Sequence, residues 1–494
     1  MHAMRAIPKG IVLTAGLILS TLAAGGAFAA GGEPAADLST RTDGSDWPTF
    51  LGPNRDGKST ETGIRKDWSD GLPIRWQMEV GEGYSAPSVA RGRLFVFDRV
   101  GDSARLTAVH SETGEVLWRR EYPTHYEDMY NYSGGPRAAP VIDDGRVYAY
   151  GVEGRLRCHR AADGELLWEV DVARTYGVKQ NFFGVGSTPI VDRDLLIVPV
   201  GGSPPDSPGI QSGEVVPNGT AIVAFDKASG EERYRVGDEL SSYSSPLVRT
   251  IDGRRLGLYF ARGGLLAFDA AGGELAFHFP WRAKKLESVN AATPVVVGDR
   301  IFLTESYGPG GVLLEVAGGK PRVVWQDPRR DQAMACHWST PIHHRGILYG
   351  SSGQSSGDAE LRAVELGTGK VRWSKPGLRR STLIYADGHL VVLGEYGELW
   401  LVEATPERFH LVTETVLKEG DRPLLQHPAW NAPVLAHGLL YLRGKDRLVA
   451  VELIPPPARP KLEESPAPSS RPQPGDAPRL PVSRRAPSPP APGG

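Results

Sequence analysis

The chain has 494 residues and a formal net charge of −2, so no global charge advertises a nucleic-acid or polyanion partner. Gly is abundant (60) and Met scarce (5), and the apolar runs are short and bounded by Gly, Asp and Pro. Strongly periodic helical stretches are hard to find, which favours an all-β fold, and the length suits two or three ordinary domains or one large repeat architecture.

Residues 1–30 have the layout of a secretory signal peptide. Arg5 and Lys9 form a basic start, "GIVLTAGLILSTLAAGG" an apolar core, and "AFA" ending at Ala29 a small-residue cleavage site. A retained membrane anchor is the alternative, disfavoured because the run is short and rich in Gly and Ala. No Cys follows it, which argues against a lipid-modified N-terminus. The mature protein is expected to be exported, periplasmic or extracellular. Residues 31–71 form an N-terminal extension that includes "DWPTFLGPNRDG".

From there two anchors recur. One is a small residue before Pro at the head of an apolar strand: Pro87, Pro140, Pro189, Pro246, Pro294, Pro341 and Pro433, with Leu383 in the same place without the Pro. Successive spacings run from 42 to 57 residues, the period of a solenoid or propeller. The other is a Gly-containing turn followed by an aromatic residue: Trp118, Trp168, Tyr234, Phe277, Trp325 and Trp373. Each copy reads as four short strands, with Pro tolerated at the first residue and Gly supplying the positive φ of the hairpin. The eighth copy, "NAPVLAHGLLYLRGKDRLVAVEL", has only three strands, while "LPIRWQMEV" near the N-terminus is a lone outer strand with Trp76 in the aromatic position. A ring closed by that strand explains both, and closure removes exposed sheet edges. The expectation is an eight-bladed β-propeller of four-stranded blades over residues 72–453. Residues 454–494, rich in Pro, Ser and Arg, read as a disordered tail. Its arginines offer a means of envelope association, although a solvated tail is the simpler expectation.

The repeated A-x-(D/E)-x-x-T-G-x-x-x-W pattern resembles the tryptophan-docking motif of the PQQ-like, quinoprotein-type propellers of exported bacterial proteins. It lacks the signatures of WD40 and kelch repeats. The resemblance implies two kinds of relative. One is the PQQ-dependent oxidoreductases, which clamp the quinone between a Trp and a disulfide of adjacent cysteines, hold Ca²⁺ with Glu, Asn and Asp, and use an Asp as base. The other is the propeller lipoprotein of the outer-membrane β-barrel assembly machinery, from which this chain departs by lacking a lipidated Cys and carrying a Pro-rich tail. Only Cys158 and Cys336 occur, and the repeat places them on opposite sides of the ring, beyond the ~7 Å Cα reach of a disulfide. No Ca²⁺ or quinone ligand set transfers residue by residue.

Strand order puts the short first-to-second and third-to-fourth turns on one face and the long loops on the other, where binding is expected. The residue three before each recurrent Pro falls at the mouth of the central channel: Tyr84, Arg137, Gly186, Tyr243, Ala291, Trp338, Arg380 and Trp430. Phe183, Asn290, His337 and Asn431 lie beside them. Four aromatics with two arginines suit a planar anion, a sugar or a peptide terminus; the alternative is that they plug the channel and brace the loops. "GQSSG" (353–357) matches G-x-S-x-G by chance, lying in a strand-to-strand loop, and His343 and His344 lack a third ligand. "GVGSTP" and "GGSPP" lack the Lys and helix of a phosphate loop. No metal site is expected. The reading is a non-catalytic binding scaffold that recognises a protein, peptide or glycan through its long-loop face. The alternative is a divergent quinoprotein oxidoreductase using PQQ with Ca²⁺ in the same funnel.

Overall fold

The computed structural model describes residues 36–456 except 42, 180–181, 210–213 and 287. The signal segment and nearly all of the Pro-rich tail lie outside the described residues. Among the described residues, eight four-stranded antiparallel sheets follow one another around the ring, with one extra two-stranded ribbon and one short helix, Val172–Tyr176. Blade 1 is typical: Ser88–Ala90, Arg93–Val100, Ser103–His110 and Val116–Pro123, paired in that order. Blade 8 joins Val434–Ala436, Leu439–Arg443 and Arg447–Glu452 to the N-terminal strand Ile74–Glu79. In this closing pair Trp76 stands opposite Ala450 and Met78 opposite Leu448. The expected eight-bladed propeller, closed by its N-terminal strand, is the observed fold.

The recurrent aromatic is the joint between blades. Each sits beside a bulge in the outer strand, and its cross-strand partner is usually small: Ala108 for Trp118, Cys158 for Trp168, Ala224 for Tyr234, Ala267 for Phe277 and Ala363 for Trp373. The rings of Trp76, Trp118, Trp168, Tyr234 and Trp325 lie over the turn glycine of the next blade. A Cβ on Gly164, at φ +76°, would meet the Trp118 ring at 2.6 Å, so only Gly fits beneath it. The indole N–H donates to a carbonyl of that same turn. Trp76 reaches Ser111 O at 2.8 Å, Trp118 reaches Ala161 O at 3.1 Å, Trp325 reaches Leu366 O at 2.7 Å and Trp373 reaches Thr405 O at 2.8 Å. Tyr234 makes the equivalent bond through its hydroxyl, to Ala270 O at 2.8 Å. Where blade 7 lacks the aromatic, Trp68 of the N-terminal extension is buried instead, its backbone N–H on Thr413 Oγ1 at 3.2 Å.

The small residue before the Pro has its own task in blades 2 to 5. Its N–H faces the next blade rather than a ladder partner, and a hydroxyl there accepts it. Ala139 donates to Thr188 Oγ1 at 3.0 Å, Thr188 to Ser245 Oγ at 3.0 Å, Ser245 to Thr293 Oγ1 at 3.3 Å and Thr293 to Thr340 Oγ1 at 3.0 Å. A belt of Ser and Thr thus ties five blades around the channel.

The N-terminal extension closes the channel at the short-turn end. Trp47 exchanges both backbone bonds with Val89 of blade 1, and Pro48 O accepts from Ile142 of blade 2. Arg55 reaches Val191 O in blade 3, and Asn54 O accepts from Arg249 of blade 4 at 2.6 Å. Gly57 O and Ser59 N bond Tyr385 of blade 7. Glu61, 7% exposed, takes the turn N–H groups of His437 and Gly438 in blade 8 at 2.9 and 2.7 Å. One segment therefore crosses the ring and bonds six blades.

Candidate functional site

With one end plugged, the channel becomes a dead-ended cavity of about 560 Å³ opening on the long-loop face. Phe50 and Leu51 of the plug contribute to its lining, and the expected funnel residues form its wall. That volume lies within the roughly 300–1,000 Å³ of small-molecule sites.

All but one of the expected channel-mouth residues line the cavity: Tyr84, Arg137, Phe183, Gly186, Tyr243, Ala291, His337, Trp338, Arg380, Trp430 and Asn431. The side-chain amide of Asn431 donates to Tyr84 O at 2.6 Å. Asn290 is the exception and stands behind the wall. It is fully buried, its amide donates to Ala261 O at 2.7 Å, and its backbone carbonyl accepts from the N–H groups of Tyr243 and Ser244. Gly186 is not idle, because a Cβ there would meet the Tyr243 ring at 2.6 Å. The loops add Tyr132, Tyr307 and His427, which fall outside the repeat positions.

The two arginines are not free cations. Arg380 donates through Nε and Nη2 to Glu395 Oε2 at 3.1 and 2.9 Å, and Glu395 is fully buried. Burial raises the Glu395 carboxyl, but hydrogen bonds from Ser356, Arg380 and Trp430 outweigh it and hold the group below its ordinary range. The Arg380 guanidinium also lies 4.6 Å from the Trp338 ring and 5.1 Å from the Trp430 ring. Arg137 repeats the design on the other side, with Asp128 Oδ2 at 2.6 Å and the rings of Tyr84 and Phe183 at 5.5 and 5.7 Å. Each of these two charges is paired with a buried carboxylate, and Lys445 is the third cation of a lining otherwise rich in aromatic rings.

Polar groups remain at the wall. Trp338 Nε1 and His337 Nδ1 are buried without a hydrogen-bond partner among the described residues. His337 Nε2 shares a 2.8 Å bond with the Tyr307 hydroxyl. Burial, helped by the charge of Arg380, lowers His337 to about 4, so its imidazole is neutral at physiological pH. No Asp or Glu is among the lining residues, and no cluster of His, Cys, Asp or Glu suited to a metal occurs among the described residues. Cys158 and Cys336 are buried free thiols.

Behind the wall, Glu305 is 1% exposed, with Oε2 accepting from Tyr307 N at 2.8 Å. Burial raises its carboxyl from 4.5 to about 7. A raised carboxyl contributes stability below its unfolded value of 4.5, and that contribution is lost as pH rises through 7. Glu305→Gln is therefore expected to stabilise the protein at pH 8 by up to about 3 kcal/mol and to be neutral at pH 4, as read by thermal unfolding.

Comparison with known proteins agrees with this architecture. The model of the family described as outer membrane protein assembly factor BamB matches residues 65–216 and 212–409. Among curated relatives, the outer membrane protein assembly factor BamB of Yersinia pestis is 31% identical over 134 residues, 23% of this chain and 32% of that protein. The corresponding protein of Shewanella oneidensis is 24% identical over 271 residues, 51% of this chain and 60% of that protein. The chain thus spans about one third and three fifths of the curated relatives it matches. The crystal structure of BamB from Moraxella catarrhalis superposes with a TM-score of 0.52 at 14% identity, covering 77% of this chain and 97% of that one, a likeness of fold. With its family model matched across most of the propeller, the chain belongs to the PQQ-like propeller family of the outer membrane protein assembly factor BamB.

Proposed function

We propose that this protein is an exported, non-catalytic scaffold of the cell envelope that holds a protein partner of outer-membrane assembly on its long-loop face. One observation carries the reading: the aromatic wall of the cavity continues outward onto exposed apolar side chains of the same face. Tyr130 and Tyr132 are 47% and 61% exposed, and Val216, Leu286 and Tyr396 stand exposed on neighbouring loops. Rings of this kind in a contiguous patch mark interaction surfaces. The family's description as an assembly factor supports the same class of partner.

A quinone with Ca²⁺ does not fit the residues present. It would need carboxylates in the wall for the metal and the base, whereas the lining offers indole, phenol, imidazole, amide and hydroxyl groups with the cations Arg137, Arg380 and Lys445, and neither Asp nor Glu. Of the three lining cations, two would be open to a quinone's carboxylates only in competition with Asp128 and Glu395, which leaves Lys445.

The test is co-purification of the full chain from its native envelope. Subunits of the outer-membrane assembly apparatus are expected with the wild type, reduced at least about tenfold by the double substitution Tyr130→Ala and Tyr132→Ala, on the scale of an aromatic hot spot. Arg345→Ala, on the short-turn face, is expected to change nothing. Absence of those subunits from the wild-type eluate would remove the reading.

A further inference from the structure

Blade 5 concentrates unpaired positive charge on the long-loop face. Its strands Arg300–Glu305 and Gly310–Ala317 meet in a hairpin whose tip lies on that face. The loop from blade 4 touches the tip on one side and the loop to blade 6 on the other. A Cβ on Gly308 would stand 2.9 Å from Ala283 Cβ, and the Gln332 amide donates to Gly308 O. Each loop brings an exposed pair of cations close to its contact: Lys284 and Lys285 after Ala283, Arg329 and Arg330 before Gln332. Leu286, 52% exposed, follows the first pair.

None of these four cations has a carboxylate within ion-pair distance among the described residues, whereas Arg233, Arg322 and Arg372 of the outer strands each have one. The nearby carboxylates are already engaged. Glu305 is buried behind the tip, and Asp327 is buried and accepts from the N–H groups of Gly311 and Ala333 at 2.7 and 2.9 Å. Glu239 holds His278 at 3.0 Å, and Arg282 is balanced by Glu239, Glu305 and Glu214. Beside the two pairs remain exposed Asp331 and Glu287, the latter outside the described residues, so four cations stand against two carboxylates. Lys445 and Arg379, also on this face, stand singly, beside Asp446 and over the Tyr396 ring. Like charges held together without partners repel one another, and an anionic surface laid over them relieves that repulsion.

The rest of the face decides between anionic surfaces. Its blade 3 side carries the exposed carboxylates Asp206, Glu214 and Asp238. A flat anionic membrane would press on those carboxylates as well as on the cations. A protein segment confined to blade 5 meets the cations without them.

We propose that blade 5 docks an acidic segment of the protein partner, with Lys284, Lys285, Arg329 and Arg330 pairing its carboxylates and Leu286 covering an apolar side chain among them. The inference rests on the scaffold reading, whose surface already includes Leu286, and gives the chemistry of the segment held.

The test compares the full chain with its charge-reversed variant, Lys284→Glu, Lys285→Glu, Arg329→Glu and Arg330→Glu together. The first probe is a short labelled peptide repeating Glu-Glu-Leu, followed by fluorescence anisotropy. The wild type is expected to bind it at low salt with a Kd on the order of 10–100 µM, weakened at least about tenfold by the reversal, with Tm unmoved. High salt is expected to weaken it too, and Arg345→Glu on the short-turn face to leave it unchanged. Equal affinity in wild type and the reversed variant, or equal affinity for a peptide repeating Lys-Lys-Leu, overturns the inference. So does a wild type that ignores the acidic peptide but sediments with phosphatidylglycerol vesicles, which would make the surface a membrane contact. The second readout is co-purification from the envelope, where the reversed variant is expected to retain at most about a tenth of the assembly subunits. If the subunits co-purify equally with both chains, the scaffold reading stands and the docking site falls. If the wild type retains no subunits while the acidic peptide binds it and not the reversed variant, the scaffold reading falls and the acidic-segment site stands.

Discussion

Trp118→Ala is expected to destabilise the propeller by about 3–5 kcal/mol in urea unfolding, the range for truncating a large aromatic in a packed site. Trp118 is 7% exposed, packs on Gly164 of the next blade and satisfies Ala161 O with its indole N–H. Alanine removes the apolar contact and leaves the carbonyl without that donor. Trp118→Phe separates the two losses. It keeps most of the packing, as Phe277 does at the equivalent place in blade 4, and is expected to cost about 1–2 kcal/mol for the missing hydrogen bond and the smaller ring. A cost for Trp118→Ala no greater than that of an ordinary surface substitution would mean that the inter-blade joint lies elsewhere.

Glu395→Ala is expected to be of similar size, about 3–5 kcal/mol at pH 7, because it leaves Arg380 half of a broken buried pair. The Arg380 side chain is only 18% exposed, and Glu395 also accepts from Trp430 Nε1 at 3.2 Å. Loss of the carboxylate frees both partners, so the Trp338–Arg380–Trp430 stack is expected to loosen, with a changed near-UV circular dichroism signal. The pH dependence has a definite sign. Glu395 is held below its ordinary 4.5, so the pair contributes stability above that value and loses it as pH falls through the lower, folded-state value. Wild type and Glu395→Gln are therefore expected to differ most near neutral pH and to converge in acid. A difference independent of pH would contradict the ion pair.

The ring itself is open to sequence reasoning because it repeats. Trp76, standing alone before the first blade, can belong only to a last blade short of one strand, and Leu383 keeps its place among the prolines through its neighbours. The plug is not legible in the same way. "DWPTFLGPNRDG" has no period, and the extension holds six blades largely through backbone groups that carry no side-chain pattern. Nor does the spacing show that the arginines are committed. Asp128 comes from an irregular loop and Glu395 from the end of a hairpin, and only the fold brings each to its guanidinium. Asn290 falls at the channel mouth in the sequence because its neighbour holds the repeat position, whereas its amide turns inward to brace the turn after the blade 4 strand. The Ser and Thr before the prolines are visible as small residues. Their role as acceptors follows only once the N–H groups of the next blade are seen to lack ladder partners.

The most direct measurement is a titration of the purified protein with PQQ, with and without Ca²⁺, followed by tryptophan fluorescence. Trp338 and Trp430 line the cavity, so a ligand seated there would report itself. No saturable quenching and no effect of Ca²⁺ are expected of a cavity without a carboxylate for the metal and with both arginines paired. Saturable one-to-one quenching at about micromolar concentration or below, strengthened by Ca²⁺, would contradict the non-catalytic reading and return the protein to the quinoprotein oxidoreductases.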